Sequence, residues 1–312
     1  MDGNRKVLIA GLAGNLLVAV TKFVAASITH SVAMMSEAVH STVDTSNELL
    51  LLYGSHRAEK APTTEHPLGF GREFYFWSFV VALLIFVAGA GVSIYQGVQH
   101  VLDPHPMEKP IVNYVVLLLS AVFESGSWWV AFKEFRRRKG SRGYLQAAVE
   151  TKDPSTVMVF FEDSAALLGI AIALAGTAAA HHFEAPVFDG IASIAIGVLL
   201  AAMAIFLARE NKKLLIGESA RPGLVKSVKE IAAEEKGLSH FNGLLTFQIG
   251  PKEVVVALSI AFDPSLRAEE IQATVDRLES RIRRAHPEIV LVLVKPQAPA
   301  TYEKRHAARW QR

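Results

Sequence analysis

Residues 31–54 read SVAMMSEAVHSTVDTSNELLLLYG, and this stretch sets the fold class of the chain. It exceeds the about 20 residues that a helix needs to cross a bilayer. Near its middle it carries His40 and Asp44. Residues four apart lie on one face of a helix, so the imidazole and the carboxylate point the same way. The stretch therefore predicts a membrane helix with an ionisable pair inside it.

Placing such a pair at membrane depth is unfavourable in free energy. An ionisable residue there costs about 2.5–3.5 kcal/mol on insertion scales, so it faces a bundle interior or a water-filled cavity. His40 and Asp44 together have the ligand chemistry of a metal-ion site. The alternative is an internal hydrogen bond that only holds helices together. Placing two titratable groups in the membrane costs more free energy than such packing requires, so the metal site is favoured.

The composition agrees with a membrane protein. The 312 residues are 51% hydrophobic, with a mean hydropathy of +0.29. In soluble globular proteins, about 45–50% of the residues are apolar even when glycine is counted among them. A net charge of +2 gives no support for a nucleic-acid partner, so we expect none. The absence of cysteine excludes disulfides and thiolate metal ligands.

Further apolar blocks predict a domain of six transmembrane helices over residues 1–216, with the lipid bilayer as its surroundings. No small-residue cleavage site follows a short apolar core near the N-terminus, so the first block is interpreted as a span and not as a signal peptide. The predicted spans are residues 7–29, 31–54, 75–101, 111–134, 156–180 and 187–208.

The loops alternate in charge. Lys and Arg lie before the first span and after the second, fourth and sixth, whereas the loops near 102–110 and 181–186 hold only Lys109. The excess of basic residues on the cytoplasmic side predicts that both termini face the cytoplasm. The short loops and the lack of a targeting segment favour a multi-pass protein of a prokaryotic inner membrane.

The remainder of the chain has the pattern of a small soluble domain. Residues 217–297 predict the order α-β-β-α-β, an α+β domain with helices on one face of a sheet. Its predicted helices are 224–236 and 268–286, and its strands are 244–249, 253–262 and 288–294. Residues 298–312 are predicted to be a mobile basic tail.

Other spans also hold ionisable residues. Glu162 and Asp163 are neighbours in the fifth span, where they point about 100° apart. At about 1.5 Å per residue, Asp163 falls at a depth similar to that of His40 and Asp44, so both helices can face one ion. Glu124 in the fourth span is either a proton relay or cation partner, or a protonated acid packed against a neighbouring helix.

Two more sets of polar residues have open roles. Lys22 in the first span is expected to snorkel or to pair with Glu37 or Glu48. Acidic and histidine residues near the outer loops either are solvated loop ends or aid ion release: Asp103, His105, Glu108, His181, His182, Glu184 and Asp189.

These residues resemble those of the cation diffusion facilitators, the family of YiiP-type and human zinc transporters. The resemblance covers roughly Lys6 to Pro296. The family has a His or Asp, three residues and an Asp in the second span, which His40 and Asp44 match. The other matches are the loop His66, Pro67, Gly69, Gly71 and Arg72, then Asp163 with Gly169, and Asp189 with Gly190.

The resemblance implies a non-enzymatic homodimer that exports a divalent transition-metal ion from the cytoplasm in exchange for protons. It implies the ligands His40, Asp44 and Asp163, with no cofactor beyond the transported ion. Val159 stands where the family has a second histidine, so Glu162, water or a substituted geometry is expected to supply the fourth ligand. One nitrogen and several oxygens form a hard ligand set, so Mn²⁺, Fe²⁺ and Co²⁺ join Zn²⁺ as options.

The chain departs from the family elsewhere too. In the loop after the second span, His66 alone matches an additional metal site, and Phe70 replaces another histidine. Arg72 and Glu218 are the candidates for the family's inter-span ion pair. No metal cluster is expected in the cytoplasmic domain, which would serve dimerisation, because its metal-binding histidine positions are Asn242, Ala257 and Val294.

Two competing functions remain. An intramembrane zinc protease would need His-Glu-x-x-His on a helix, and the sequence contains no such motif. A non-transporting metal sensor or receptor would act through the cytoplasmic domain. The intact pair of His40 and Asp44 argues against that alternative.

Overall fold

The computed structural model describes residues 3–140, 143–144, 146–147 and 154–310. They form two compact units. One contains the long apolar helices, and the other contains Ala58–Arg72 and the chain from Lys213 onward. The loop after the second predicted span therefore belongs to the same unit as the C-terminal strands.

The first unit is helical. Each predicted span coincides closely with helical segments, and several helices extend beyond it because helix-forming polar residues such as Arg209, Glu210 and Lys212 continue the turn. The bounds are α1 Gly3–Thr29, α2 Val32–Ala58, α3 Arg72–Leu84, a π-helical segment Ile85–Gly91, α4 Val92–Leu102, α5 Pro110–Lys139, α6 Pro154–His182 and α7 Val187–Ile216.

Within the described residues, four helices are long and apolar enough to cross a membrane: Arg72–Leu102, Pro110–Arg137, Met158–His182 and Val187–Ile216. The apolar part of α1 is shorter, at Gly14–Thr29, and α2 carries Glu37, Asp44 and Glu48 within its length. The chain is therefore a multi-pass membrane protein, and the full set of six spans stays a prediction.

Helices α4 and α7 touch through their backbones. A side chain at Gly97 would lie 2.7 Å from the Gly190 carbonyl oxygen, and one at Gly190 would lie 2.9 Å from the Gly97 carbonyl oxygen. Small residues permit such close packing of helices in lipid, where dispersion contacts drive association.

Asp189 fixes the first turn of α2 to α7. Its carboxylate accepts hydrogen bonds from Ser31 Oγ at 2.7 Å and from the Val32 backbone N–H at 2.5 Å. One turn further, Ser36 Oγ lies 2.7 Å from Ser193 Oγ. The carboxylate satisfies the unpaired N–H groups of a helix N-terminus and complements its dipole. Asp189 is 1% exposed, so the expectation that it is a solvated loop end is wrong, and a part in ion release stays a prediction.

The second unit contains the predicted α-β-β-α-β order. Its elements are α8 Pro222–Ala233, β1 Leu238–Gly250, β2 Glu253–Phe262, α9 Ala268–Ala285 and β3 Ile289–Pro296. β2 pairs with β1 antiparallel and with β3 parallel. Alternate β2 residues pack against α8 and α9, which share one hydrophobic core with them: Val254, Val256, Leu258, Ile260, Leu224, Val228, Leu278 and Ile282.

The predicted mobile tail is wrong. Residues Pro299–Trp310 form helix α10, which contacts β1. The Tyr302 ring fills the space that a side chain at Gly243 would need. This glycine lets an aromatic ring lie against the strand, and the contact of the partly buried ring with β1 favours an ordered tail.

Candidate metal centre

His40 and Asp44 lie together on α2, as their spacing predicts. His40 Nδ1 is 3.3 Å from Asp44 Oδ1, and the side chains are 1% and 22% exposed. Neither ring nitrogen of His40 has a hydrogen-bond partner in the described residues. A buried imidazole beside a carboxylate, with nitrogen lone-pair capacity to spare, has the chemistry of a metal ligand.

Asp44 faces a cavity of about 350 Å³ inside the helical unit. Five acidic side chains line this carboxylate cavity, and no lysine or arginine is found among its described lining residues. Charged carboxylates that share one cavity repel each other more strongly in a medium of low dielectric constant than in water. Bound cations or protons relieve that repulsion. The five acids are Asp44, Glu48, Glu124, Glu162 and Asp163.

Neighbouring helices position the two carboxylates of α6. Asn47 Nδ2 on α2 donates a hydrogen bond to Glu162 Oε1 at 3.1 Å. Ser127 Oγ on α5 donates one to Asp163 Oδ2 at 2.9 Å. Ser127 was not anticipated from the sequence, although it lies three residues after Glu124 and so shares its face. These contacts bring the α6 acids to the cavity that Asp44 lines.

Val159 also lines the carboxylate cavity. The position where the family has a histidine therefore faces the site, but it presents methyl groups. As the side chains stand, no three His, Asp or Glu residues in the described part of the chain are close enough to hold a metal ion. Coordination of one ion by His40, Asp44 and Asp163 requires these side chains to come closer together.

Lys22 completes the polar interior with a buried ion pair. Its Nζ donates to Glu37 Oε2 at 3.0 Å and to Ser41 Oγ at 2.8 Å, and both charged side chains are 0% exposed. Of the predicted alternatives, the structure has the pairing with Glu37. Glu48 instead accepts a hydrogen bond from Asn15 Nδ2 at 3.2 Å.

Gly169 on α6 makes room for that pair. A side chain at this position would overlap with Glu37 Oε1. We expect Gly169→Ala to lower the free energy of unfolding by about 1–3 kcal/mol, because overpacking displaces a buried carboxylate. Gly126→Ala is the matched control, since nothing lies within 4 Å of its added carbon. Thermal unfolding of both variants in detergent tests this, and equal melting temperatures would contradict it.

The loop residues His66 and Arg72 belong to the second unit. The His66 ring stacks on Phe70 with centres 4.6 Å apart. A side chain at Gly217 would lie 3.4 Å from Arg72 Nη2, so the guanidinium lies beside the residue that precedes Glu218. The ion pair of Arg72 with Glu218 stays a prediction.

An ion pair at the end of α2 was missed from the sequence. Arg57 Nη2 is 2.7 Å from Glu73 Oε1, and Trp77 Nε1 donates to Glu73 Oε2 at 3.0 Å. It joins α2 to α3. The only signal in the sequence was the opposite charge of two residues that flank one loop.

The chain matches known proteins over most of its length. The family model described as the cation efflux transmembrane domain matches residues 8–216. A mitochondrial relative named proton-coupled zinc antiporter SLC30A9, from Mus musculus, is 32% identical over 265 residues, which are 84% of this chain and 47% of the relative. The Homo sapiens protein of that name is 32% identical over 84% of this chain and 46% of its own.

Two further relatives widen the comparison. Metal tolerance protein C4 of Arabidopsis thaliana is 35% identical over 66% of this chain and 45% of the relative. The uncharacterized transporter MJ0449 of Methanocaldococcus jannaschii is 23% identical over 92% of this chain and 98% of its own. The chain spans about half the length of the first three of these relatives. Because the family model covers most of the chain, the protein belongs to the cation efflux family, the cation diffusion facilitators.

Proposed function

We propose that the protein is a proton-coupled antiporter that exports a divalent transition-metal cation from the cytoplasm. The observation that carries this proposal is a cavity lined by five acidic side chains, one of which, Asp44, contacts the buried imidazole of His40. Membership of a family of cation transporters supports it. Relatives named as a zinc antiporter and a metal tolerance protein support it further.

The proposed ligands are His40, Asp44 and Asp163, with Glu162 as the fourth. The carboxylate cavity favours a cation over an anion because its charges are all of one sign. Metal ligands must lose their protons before they bind, so metal binding releases protons. Protons that enter the cavity from the other side displace the ion and restore neutrality. Glu124 lines the same cavity and is proposed as a relay for these protons.

Zinc is the proposed principal ion, with Mn²⁺, Fe²⁺ and Co²⁺ as competitors. Imidazole suits Zn²⁺, whereas carboxylates also suit Mn²⁺. The cavity lining supplies several carboxylates, and one imidazole, that of His40, contacts Asp44 at the cavity wall. The chain thus has a harder ligand set than a site with two histidines.

The proposed architecture has six spans in residues 1–216, a cytoplasmic domain in 217–297 and a basic C-terminal segment in 298–312. In this arrangement both termini lie in the cytoplasm and the inner membrane holds a homodimer. The cytoplasmic domain is proposed to mediate dimerisation. No cluster of metal ligands is found among its described residues. Asn242, which stands at one of the family's metal-binding positions, donates a hydrogen bond from Nδ2 to the Gln297 backbone oxygen at 2.7 Å.

Transport by the purified full chain in proteoliposomes tests the function. Zn²⁺ is added outside, and dyes inside report both zinc and pH. We expect zinc uptake above that of empty liposomes, together with proton movement in the opposite direction. An imposed opposing proton gradient should accelerate uptake, and an ionophore that collapses the gradient should remove the acceleration. Zinc binding without zinc movement would contradict the proposal and would favour the receptor.

A further inference from the structure

A second cavity lies beside the first turn of α2, away from the carboxylate cavity. It has a volume of about 670 Å³ and is formed by the end of α1, the start of α2, the end of α4 and the loop after it. We call it the loop cavity. Its lining includes Gln96, His100, Asp103, His105 and Glu108. The mechanism proposed above uses none of these residues.

His100 is buried in the wall of the loop cavity without a partner for its Nε2. The residue is 6% exposed, and no described group makes a hydrogen bond to this nitrogen. Gln96 Oε1, one turn earlier on α4, is also buried and unpaired. Buried polar atoms in native proteins are nearly always satisfied, so two such atoms on one cavity wall indicate a ligand.

Two more ligand groups lie next to His100. The rings of His100 and His105 have centres 6.3 Å apart, and His105 Nε2 is 3.6 Å from Asp103 Oδ2. Two imidazoles on one tetrahedral ion, with metal–nitrogen distances of about 2.0–2.1 Å, have ring centres about 5 Å apart. The His105 side chain is 68% exposed. It can therefore approach by the remaining distance without disturbing the packed helices.

The electrostatics of the loop cavity favour a cation. Helices α1 and α4 both end here, and a helix C-terminus carries a partial negative charge, whereas the partial positive charge at the start of α2 is complemented by the Asp189 carboxylate. Asp103 and Glu108 add two carboxylates, and the described lining contains no lysine or arginine. Imidazole nitrogens select zinc and similar transition metals over calcium and magnesium, which prefer oxygen ligands.

We propose that His100, His105 and Asp103 form a second binding site for a divalent transition-metal ion. This site is separate from the carboxylate cavity. Met35 lines the loop cavity and Asp44 lines the carboxylate cavity, and the two residues are about 14 Å apart along α2. Glu37, which is paired with Lys22, lies along α2 between them. A role in receiving the exported ion rests on the proposed transport function, whereas the binding itself does not.

Metal binding by the full chain in detergent tests this site directly. The carboxylate cavity is first disabled with Asp44→Asn and Asp163→Asn, and Zn²⁺ binding is then measured by titration calorimetry. We expect one remaining Zn²⁺ per chain. Adding His105→Ala or Asp103→Asn should weaken this binding at least about tenfold, since even groups that only support a ligand contribute that much. His240→Ala, at an exposed histidine of β1, is the matched control and should leave the affinity unchanged.

Cobalt provides a second readout. Co²⁺ bound through imidazole gives visible absorption bands, which we expect in the disabled background and not after His105→Ala. His100→Ala should also abolish these bands. If this buried substitution unfolds the chain, His105→Ala still tests the site, because His105 is exposed and its replacement should leave the fold intact. Absence of Zn²⁺ binding in the background, or unchanged binding after His105→Ala, would overturn the proposal. Because no transport is measured, a failed antiporter assay does not affect this result.

Discussion

We expect Asp44→Asn to reduce zinc transport at least about 100-fold while leaving the protein folded. The substitution keeps the size of the side chain and removes a charged oxygen ligand from the carboxylate cavity. Groups that merely support a metal ligand contribute about 10–100-fold to affinity or activity, so a direct ligand should contribute at least the upper value. Initial uptake rates in proteoliposomes, at matched protein density, measure the effect.

The control for Asp44→Asn is Asp276→Asn, the same change on the exposed surface of α9. It should transport zinc at the parental rate. Thermal unfolding of both variants in detergent should match the parent, because Asp44 contributes to the cavity wall and not to a packed core. If Asp44→Asn transports at a rate close to that of its control, the metal site lies elsewhere.

Val159→His should shift the metal preference of the transporter toward zinc. The side chain lines the carboxylate cavity and is 39% exposed, so an imidazole has room to reach the ion. A second nitrogen makes the ligand set softer, which favours Zn²⁺ over Mn²⁺. We expect the ratio of zinc to manganese transport to rise about tenfold, which corresponds to about 1.4 kcal/mol of relative binding free energy.

Competition assays with both ions in one liposome population measure that ratio. Val159→Ala is the matched control, because it enlarges the cavity without supplying a nitrogen ligand. Its selectivity should stay near the parental value. A ratio that does not change in Val159→His, or that changes equally in both variants, would show that residue 159 does not contact the transported ion.

The helices and the α-β-β-α-β order were predictable because burial imposes periodicity on the sequence. The early part of β1 was not, since register shifts between Leu238 and His240 and between Phe241 and Gly243 interrupt its alternation. The tail helix was also missed. Its order depends on Tyr302 packing over Gly243, two residues far apart in the chain.

Contacts within one helix of the candidate site were also predictable, whereas contacts between helices were not. Local spacing was enough to place His40 beside Asp44. The partner of Lys22 was not predictable, because Glu37 and Glu48 are separated only by how α1 is rotated and shifted against α2. The role of Asp189 depends on how α7 meets the first turn of α2, which no local pattern records. The residues that share a face within one helix can therefore be predicted from the sequence, whereas the contacts between different helices cannot.

The attachment of α2 to α7 determines how His40 and Asp44 can move. The contacts of Asp189 with Ser31 and of Ser36 with Ser193 hold one end of α2. At about 1.5 Å per residue, Asp44 is about 12 Å along the axis from Ser36. A tilt of about 10° around that attachment moves Asp44 sideways by about 2 Å, which equals the length of a zinc–oxygen bond of about 2.0–2.2 Å. A small rotation of one helix is thus enough to make or break the metal–oxygen bond that we propose for Asp44.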